Sequence, residues 1–512
     1  MIPIDQSKLH KLRDLQKKKV EVYPYTFSQT HHAQVINQKY AYLHPEQQTK
    51  DVVSVAGRIM LRRVMGKAAF FHLQDQTGRI QLYFREDELG QELYQTIVKD
   101  TDMGDIIGVT GFIFKTRTGE VTVHVQQAQI LAKSLLPLPE KYHGLKDIEL
   151  KYRQRYVDLF VNPEVKDVFL NRSRMIKAVR DFFIEQGFVE VDTPTLQTIY
   201  GGARAKPFVT HINTWNMEMY LSISPELFLK RLLVGGFEKV FTICKNFRNE
   251  DVDTTHNPEF TMLEAYQAYV DYNTMMEYME QTYERACLAI HGSTKVKHNY
   301  KGEEVTLDFK APWKRMTMLD AIQQHAQIDA AKMSKEKLLH VVTQNKIEFE
   351  GEFSWGKGIQ LLFEELVEEK LIQPVHIIDH PRESTPLCKQ HREDARLIER
   401  FESFCLGMEL SNAYSELNDP LLQRELLEEQ AKELHAGEEE AHPMDEDFMQ
   451  AMEYGMPPAG GLGMGMDRMA VLLTGVNSIR DVILFPTMKP VAEEEKKEEN
   501  NENHSKKKDN RK

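Results

Sequence analysis

Three stretches of the chain concentrate side chains able to grip charged groups. The first is KNFRNEDVDTTHNPEFTMLEAYQAY, residues 245–269, where two β-rich pieces flank a polar loop and so predict a strand–loop–strand hairpin. In its second strand Phe260, Met262, Glu264 and Tyr266 alternate, which places all four on one face. A glutamate among such neighbours is either turned to solvent or a buried anion. Arg248, with Glu250 two residues on, ends the first strand, and its planar fork matches two phosphate oxygens. A surface salt bridge is the plainer alternative.

The second stretch is RFESFCLGMELSNAYSELND, residues 400–419. Asn412, Tyr414 and Glu416 alternate there, putting an amide, a phenol and a carboxylate on one strand face. Glu402 and Glu409 lie upstream, and hard oxygen ligands of this kind suit Mg²⁺ bridging phosphates, although acidic pairs are common. The third stretch is PPAGGLGMGMDRMAVLLTG, residues 457–475. Gly461, Gly463 and Gly465 allow close backbone approach, and Asp467-Arg468 opens an apolar helix. The spacing fits neither a P-loop nor a dinucleotide fingerprint. Close packing alone would explain the glycines; Arg468, a fixed cation at the helix start, is what points to an anion.

Positioning these groups needs a frame, and the patterns supply two. From 51 to 133, five short alternating strands, with a helical segment near Glu86–Val98 between the third and fourth, predict a closed barrel of the OB type. Such barrels bind oligonucleotides or act as plain interaction modules. Residues 1–50 read as a basic helical extension with a helix at 5–19, and LLPLPEKYHG opens a linker over 135–165. An amphipathic helix at 166–186 (Val168, Ile176, Val179, Phe183) stops at Gly187 and is followed by the strand FVEVDTP. Strands around 240–248, 259–270, 374–379 and 402–417 then alternate with helices up to 490. The expected fold class is α+β: an N-terminal OB-fold barrel, 51–134, followed by a domain, 166–490, built on an antiparallel β-sheet flanked by helices. The acidic segment 424–453 reads as a helical excursion, and 491–512 as a charged tail too poor in apolar residues to fold.

Composition bounds the function. The 512 residues are 41% apolar and 28% charged, a globular mix for two or three domains. No run of eighteen apolar residues occurs, so no membrane span is expected. The start lacks an apolar h-region, and Cys244, Cys287, Cys388 and Cys405 form no CxxC pair, which excludes a zinc finger or disulfide scaffold and suits the cytoplasm. Net charge is −13, yet residues 1–85 carry fourteen basic and six acidic side chains. That local excess is attractive to a phosphate backbone, or else marks a solvated lysine-rich helix.

Together and in this order, the three stretches resemble the signature motifs of class II aminoacyl-tRNA synthetases. The 166–186 helix with Pro194 is similar to motif 1, FRNE with HNPEF to motif 2, and GLGMGMDR to motif 3. The barrel in front resembles subclass IIb, which serves lysine, aspartate and asparagine. GGARAKPF (201–208), SPELFLKRLLVGGFEKVF (224–241) and SNAYSELND make the likeness strongest to the lysyl-tRNA synthetase family, over residues 50–490.

The resemblance implies activation of L-lysine by ATP to lysyl-adenylate and pyrophosphate, then transfer to the 3′ end of tRNA(Lys). It implies that Arg248 bridges the amino-acid carboxylate and the α-phosphate, and that Arg468 grips the γ-phosphate. Glu250, His256, Asn257, Phe260 and Glu409 would surround ATP, with Glu402 and Glu409 on Mg²⁺. Glu226, with the Gly202 backbone, would receive the α-ammonium; Glu264, Glu416 and Tyr266 would surround the ε-ammonium, with Asn412 and Tyr414 lining the pocket. In the barrel, Phe70 would stack on the middle anticodon base, Gln81 hydrogen-bond it and Arg58 support it. A homodimer through motif 1 is also implied. A lysine pocket needs buried anions, which Glu264 and Glu416 supply, whereas an aspartate or asparagine pocket needs a cation or an amide donor. A protein-lysylating paralogue would lack the barrel, and a non-enzymatic relative would lose motif residues. Tyr414 stands where many members carry Phe.

Overall fold

Alternation of apolar and polar residues closes five strands into a barrel. They are β1 (Gln48–Met65), β2 (Ala68–Gln74), β3 (Arg79–Arg85), β4 (Ile106–Lys115) and β5 (Val121–Ala132), in the order β1-β2-β3-β5-β4. Val55, Phe71, Leu82, Val109 and Val123 fill the interior. The computed structural model describes residues 3–139, 147–349, 351–435 and 443–490, and the chain divides into two compact units at Gly144/Leu145.

The first fifty residues are not a separate extension. Helices Gln6–Lys17 and Ala33–Lys39 insert Leu12, Leu15, Ala33 and Ile36 into the barrel's own core. Their lysines are engaged as well: Lys8 donates to the Met103 and Leu136 carbonyls, and Lys11 meets Asp102 at 2.5 Å. The basic excess of this region is therefore partly spent inside the unit.

In the second unit, short strands β6 (Val189–Glu190), β7 (Leu196–Gln197), β8 (Val209–Ile212) and β9 (Met217–Leu221) precede the hairpin β10 (Lys239–Phe247) and β11 (Glu259–Ala268). A second hairpin, β12 (Lys295–Tyr300) and β13 (Glu303–Asp308), stands apart. Then come β14 (Lys314–Thr317), β15 (Val375–Pro381), β16 (Leu397–Cys405), β17 (Met408–Ser415) and β18 (Ala459–Gly465). The main sheet has eight strands in the order β14-β15-β16-β17-β18-β11-β10-β6, antiparallel except for the edge pairs β14–β15 and β10–β6. Helices Pro163–Glu185, Tyr272–His291 and Met466–Thr474 contribute Val179, Phe183, Met279, Tyr283 and Leu472 to one core with Leu263 and Ala265 of β11. Strand alternation then leaves Phe260, Met262, Glu264 and Tyr266 on the opposite face, as expected.

Three boundaries differ from expectation. The single strand at 402–417 is a hairpin, because Leu406 and Gly407 both have positive φ (53° and 65°), the geometry of a tight two-residue turn. Glu402 and Glu409 consequently sit on neighbouring strands. Within the expected 135–165 linker, of which 140–146 lie outside the described residues, helices Ile148–Arg153 and Arg155–Val161 belong to the second unit, where buried Arg155 pairs with Asp158 at 2.9 Å and donates to the Arg480 carbonyl. The FVEVDTP strand shrinks to β6. The acidic excursion holds helices Pro420–His435 and Glu446–Glu453, while the expected tail at 491–512 lies outside the described residues.

Lys133 and Asp105 are fully buried and 2.5 Å apart, with Asp102 a further 3.0 Å partner of the same ammonium. Removing one member of such a pair costs about 3–5 kcal/mol. In Asp105→Ala, hydrogen-exchange protection in β4 and β5 should therefore fall at lower denaturant while β11 and β18 stay protected. Unchanged protection in the barrel would contradict this.

Candidate active site

The open face of the main sheet holds a cavity of about 690 Å³. Its floor is two rows of residues set by strand register. One row runs Glu264 (β11), Gly463 (β18), Asn412 (β17) and Glu402 (β16); the next, farther from Arg248, runs Tyr266, Gly461, Tyr414 and Arg400. The rows are two residues apart, or about 6.6 Å. One glycine of the third stretch, Gly461, is required by crowding above the floor. A Cβ on Gly461 would lie 1.9 Å from Glu416 Oε1 and 2.5 Å from the Tyr266 ring.

At one end stand arginines. The Arg248 guanidinium lies 5.1 Å from the Phe260 ring centroid, a cation–π distance, and its Nε is buried without a hydrogen-bond partner among the described residues. Burial depresses its pKa, against the pull of Glu250, Glu409 and Glu264. Arg468 Nη1 donates to the Glu409 carbonyl (2.7 Å) and carboxylate (3.1 Å), and its Nη2 lies 3.4 Å from His256 Nε2. Asp467 accepts from the Thr261 amide at 2.6 Å and from Arg172, which locks the third stretch to β11 and to the Pro163–Glu185 helix. Asn257 lines the cavity, but its amide donates to the Glu259 carbonyl at 2.6 Å, so its hydrogen-bonding capacity shapes the loop. Glu250 is exposed at the rim.

At the other end three buried carboxylates converge. Glu264 accepts from Ser224 Oγ (2.9 Å) and Tyr266 OH (3.1 Å). Glu226, first residue of the Glu226–Val234 helix, accepts from Tyr414 OH at 2.7 and 2.8 Å, and Gly202 lies against its Cβ. One turn on, Lys230 Nζ sits 2.6 Å from Glu226 and 2.5 Å from Glu416 Oε2. Glu416 Oε1 has no hydrogen-bond partner among the described residues. Burial, then the Glu226 charge, push Glu264 up to about 8. Burial would lower the Lys230 ammonium, but Glu226 and Glu416 outweigh it and hold it above its usual value.

Sequence spacing missed four contributors. Lys230 was visible as Glu226-Leu-Phe-Leu-Lys230, an i,i+4 pair. Arg400 donates to Asn412 Oδ1 (2.9 Å) and Glu402 (2.5 Å), tying two expected ligand residues together. Glu364 and Glu368, from and beyond the Trp355–Leu366 helix, line the same cavity. Burial, then Glu402, Glu409 and Glu364, push Glu368 up to about 7. That surplus of carboxylate oxygens beside Arg468 fits a hard divalent cation. Among the described residues no three His, Cys, Asp or Glu groups form a preassembled metal cage.

On the barrel, Phe70 stacks on Tyr83 (4.6 Å, 27°) beside Phe112, Phe114 and His124. Gln81 donates to Glu120 at 2.6 Å and accepts from Thr122 at 2.8 Å. Arg58 does not join them. It faces Gln74 across the strand pair, and its Nη1 donates to the Gly104 carbonyl at 2.7 Å, whereas exposed Arg63 stands opposite Phe70.

Comparison with known proteins agrees with this geometry. Residues 147–489 match the family model described as tRNA synthetases class II (D, K and N), and residues 53–131 match the OB-fold nucleic acid binding domain. The chain is 53% identical over 483 residues to the lysine–tRNA ligase of Pelotomaculum thermopropionicum, covering 94% of each chain. It is 49% identical to that of Syntrophomonas wolfei (95% and 97% covered) and 50% identical to that of Carboxydothermus hydrogenoformans (94% and 97%).

A carboxyl with a raised folded pKa makes the folded state the better proton binder, so between 4.5 and about 8 Glu264 takes away stability as pH rises. Chemical unfolding of ligand-free Glu264→Gln should show a shallower stability decline across that window than the unsubstituted protein. Parallel pH profiles would contradict the placement of Glu264.

Proposed function

Since the chain belongs to the class II tRNA synthetases of the aspartate, lysine and asparagine group, we propose a role for each group in the cavity. The protein activates L-lysine with ATP and transfers it to tRNA(Lys). The observation that carries lysine, rather than aspartate or asparagine, is the buried anionic end, where Glu416 Oε1 lacks a hydrogen-bond partner among the described residues. An ammonium satisfies that acceptor and compensates its charge; a carboxylate leaves it unpaired and an amide leaves its charge uncompensated, and leaving a buried polar group unpaired is worth about 10⁴-fold discrimination in comparable polar pockets.

Two of the implied roles exchange. Glu264 lies in the row nearer Arg248 and interacts with it electrostatically, while Glu226 joins Glu416 around one ammonium in the farther region. The row spacing of about 6.6 Å is close to the reach of an extended lysyl side chain. Glu264 and the Gly202 backbone therefore receive the α-ammonium, and Glu226, Glu416 and Tyr266 the ε-ammonium, with Asn412 and Tyr414 forming the floor.

The lysine carboxylate attacks the α-phosphorus of ATP and pyrophosphate leaves. The terminal ribose hydroxyl of tRNA then attacks the acyl carbon and AMP leaves. No protein nucleophile is needed. Arg248 orients the carboxylate and stabilises charge on the α-phosphoryl oxygens; Arg468, beside His256, holds the γ-phosphate, and Phe260 stacks on adenine near Glu250. Mg²⁺, which Glu402 and Glu409 would hold, supplies neutralisation of phosphate charge. The anticodon side rests on the aromatic platform of Phe70 with Gln81 and Arg63, a basic and stacking surface suited to single-stranded bases.

Exposed Leu170, Ile184, Leu484 and Phe485, on or beside the Pro163–Glu185 helix, support a homodimer through that face. The four unpaired cysteines support a reducing, cytoplasmic setting, and no helix among the described residues is long and apolar enough to cross a membrane.

ATP–pyrophosphate exchange with each of the twenty amino acids tests the activation step: lysine alone should give signal, and a signal for aspartate or asparagine instead would overturn the pocket. Arg248→Ala should lose exchange far more than lysine affinity, since its main contact is made in the transition state. Phe70→Ala and Arg63→Ala should raise the KM for tRNA several-fold and leave exchange unchanged. Equal effects from Arg58→Ala, measured on variants of equal stability, would contradict the Arg63 assignment.

A further inference from the structure

Lys230 has no role in the chemistry above, yet it is the most completely enclosed cation in the site. Its side chain is fully buried, its Nζ touches Glu226 (2.6 Å) and Glu416 (2.5 Å), and the Tyr414 ring centroid is 5.5 Å away. An ammonium is costly to bury, and so is each carboxylate. The group persists because each offsets the others. With all four ionised, Glu226, Glu264, Glu416 and Lys230 carry two net negative charges, the complement of the two ammonium groups of lysine.

We propose that Lys230 is a specificity-determining positioning residue: its ammonium holds the Glu226 carboxylate and Glu416 Oε2 in one fixed arrangement, so that a second ammonium is received by the other oxygen of Glu416. The inference rests on the lysine-activating reading of this cavity. Glu416 supports it by its division of labour, with Oε2 on Lys230 and Oε1 turned to the space above Gly461. Tyr414 supports it from the other side by donating to both oxygens of Glu226. The remaining titratable neighbours are Glu264 and Tyr266 of β11, and Cys388, which bridges to Glu416; Arg400 is the other cation acting on that cysteine. None of these can replace the ammonium at Glu226. Burial already pushes Glu264 and Glu416 up to about 8 with Lys230 in place. Without it, more protons enter the pocket at neutral pH, and a protonated carboxyl is a poor host for an ammonium.

Lysine-dependent ATP–pyrophosphate exchange by the full-length protein tests this with Lys230→Met, which keeps length and removes charge. The expected result is a KM for lysine raised at least tenfold near neutral pH, a KM for ATP within about twofold, and a deficit that shrinks as pH rises. Glu416→Gln added to Lys230→Met restores the net charge, so the double variant should bind lysine better than the Lys230→Met single. That sub-additivity also serves if the single variant folds poorly, because the double variant has the uncompensated charge removed. In Lys230→Ala, propylammonium should restore lysine affinity and propanol should not. An unchanged lysine KM, a pH-independent deficit, an equal rise in both KM values, or strictly additive effects would each overturn the proposal. Absence of lysine dependence in the unsubstituted protein would instead overturn the reading on which it rests, and that outcome is visible before any variant is compared.

Discussion

Three carboxylates buried within one cavity are the constraint around which the second unit is arranged. Each would be unstable alone in a low-dielectric interior, and together they repel. Ser224, Tyr266 and Tyr414 donate to them, Lys230 neutralises one, and the strand register keeps Glu264 one row away from Tyr266 and Tyr414. The glycine strand β18 is part of the same solution, since Gly461 leaves the volume that the Glu416 carboxylate and the Tyr266 ring occupy. What remains is an anionic hollow that an incoming diammonium completes.

The opposite end has the inverse character. Arg248 and Arg468 come from the two sides of the β11–β18 pair, and Asp467 fixes their relation through Thr261 and Arg172. In the proposed arrangement a zwitterion with a long cationic side chain spans both ends, its carboxylate toward Arg248 and its side chain toward Glu416. Length selectivity would then come from pleat geometry, and charge selectivity from the carboxylates. The helical core under the sheet, with Phe183, Met279 and Leu472 packed on Leu263 and Ala265, makes that ruler rigid.

Period-two patterns in the sequence were enough to put Glu264 and Tyr266 on one face of β11, and the packing of Leu263 and Ala265 in the core turns that face to the cavity. The same alternation located Asn412 and Tyr414. Contacts between elements distant in sequence were not legible. Nothing local shows that Glu226 shares an ammonium with Glu416, 190 residues later, and the proposed exchange of the ends given to Glu226 and Glu264 rests on that contact. Arg58 and Arg63 both look like basic strand residues, and only the pairing of β1 with β2 puts Arg63 opposite Phe70. The turn at Leu406-Gly407 was obscured by a leucine in a positive-φ position, where glycine or asparagine usually stands. The N-terminal helix looked solvated because its lysines outnumber its leucines, yet Leu12 and Leu15 carry it into the barrel core.

Glu264, pushed up to about 8 by burial, should lose its proton to solvent when a diammonium ligand enters the pocket. Calorimetric titration of L-lysine into the ligand-free protein, in buffers of differing ionisation enthalpy near neutral pH, measures that exchange directly. With Glu264 standing near pH 8 in the empty site, lysine binding should release protons, and release should decline as pH rises past that value. Lysine binding with no net proton release near neutral pH, or with proton uptake, would contradict the account.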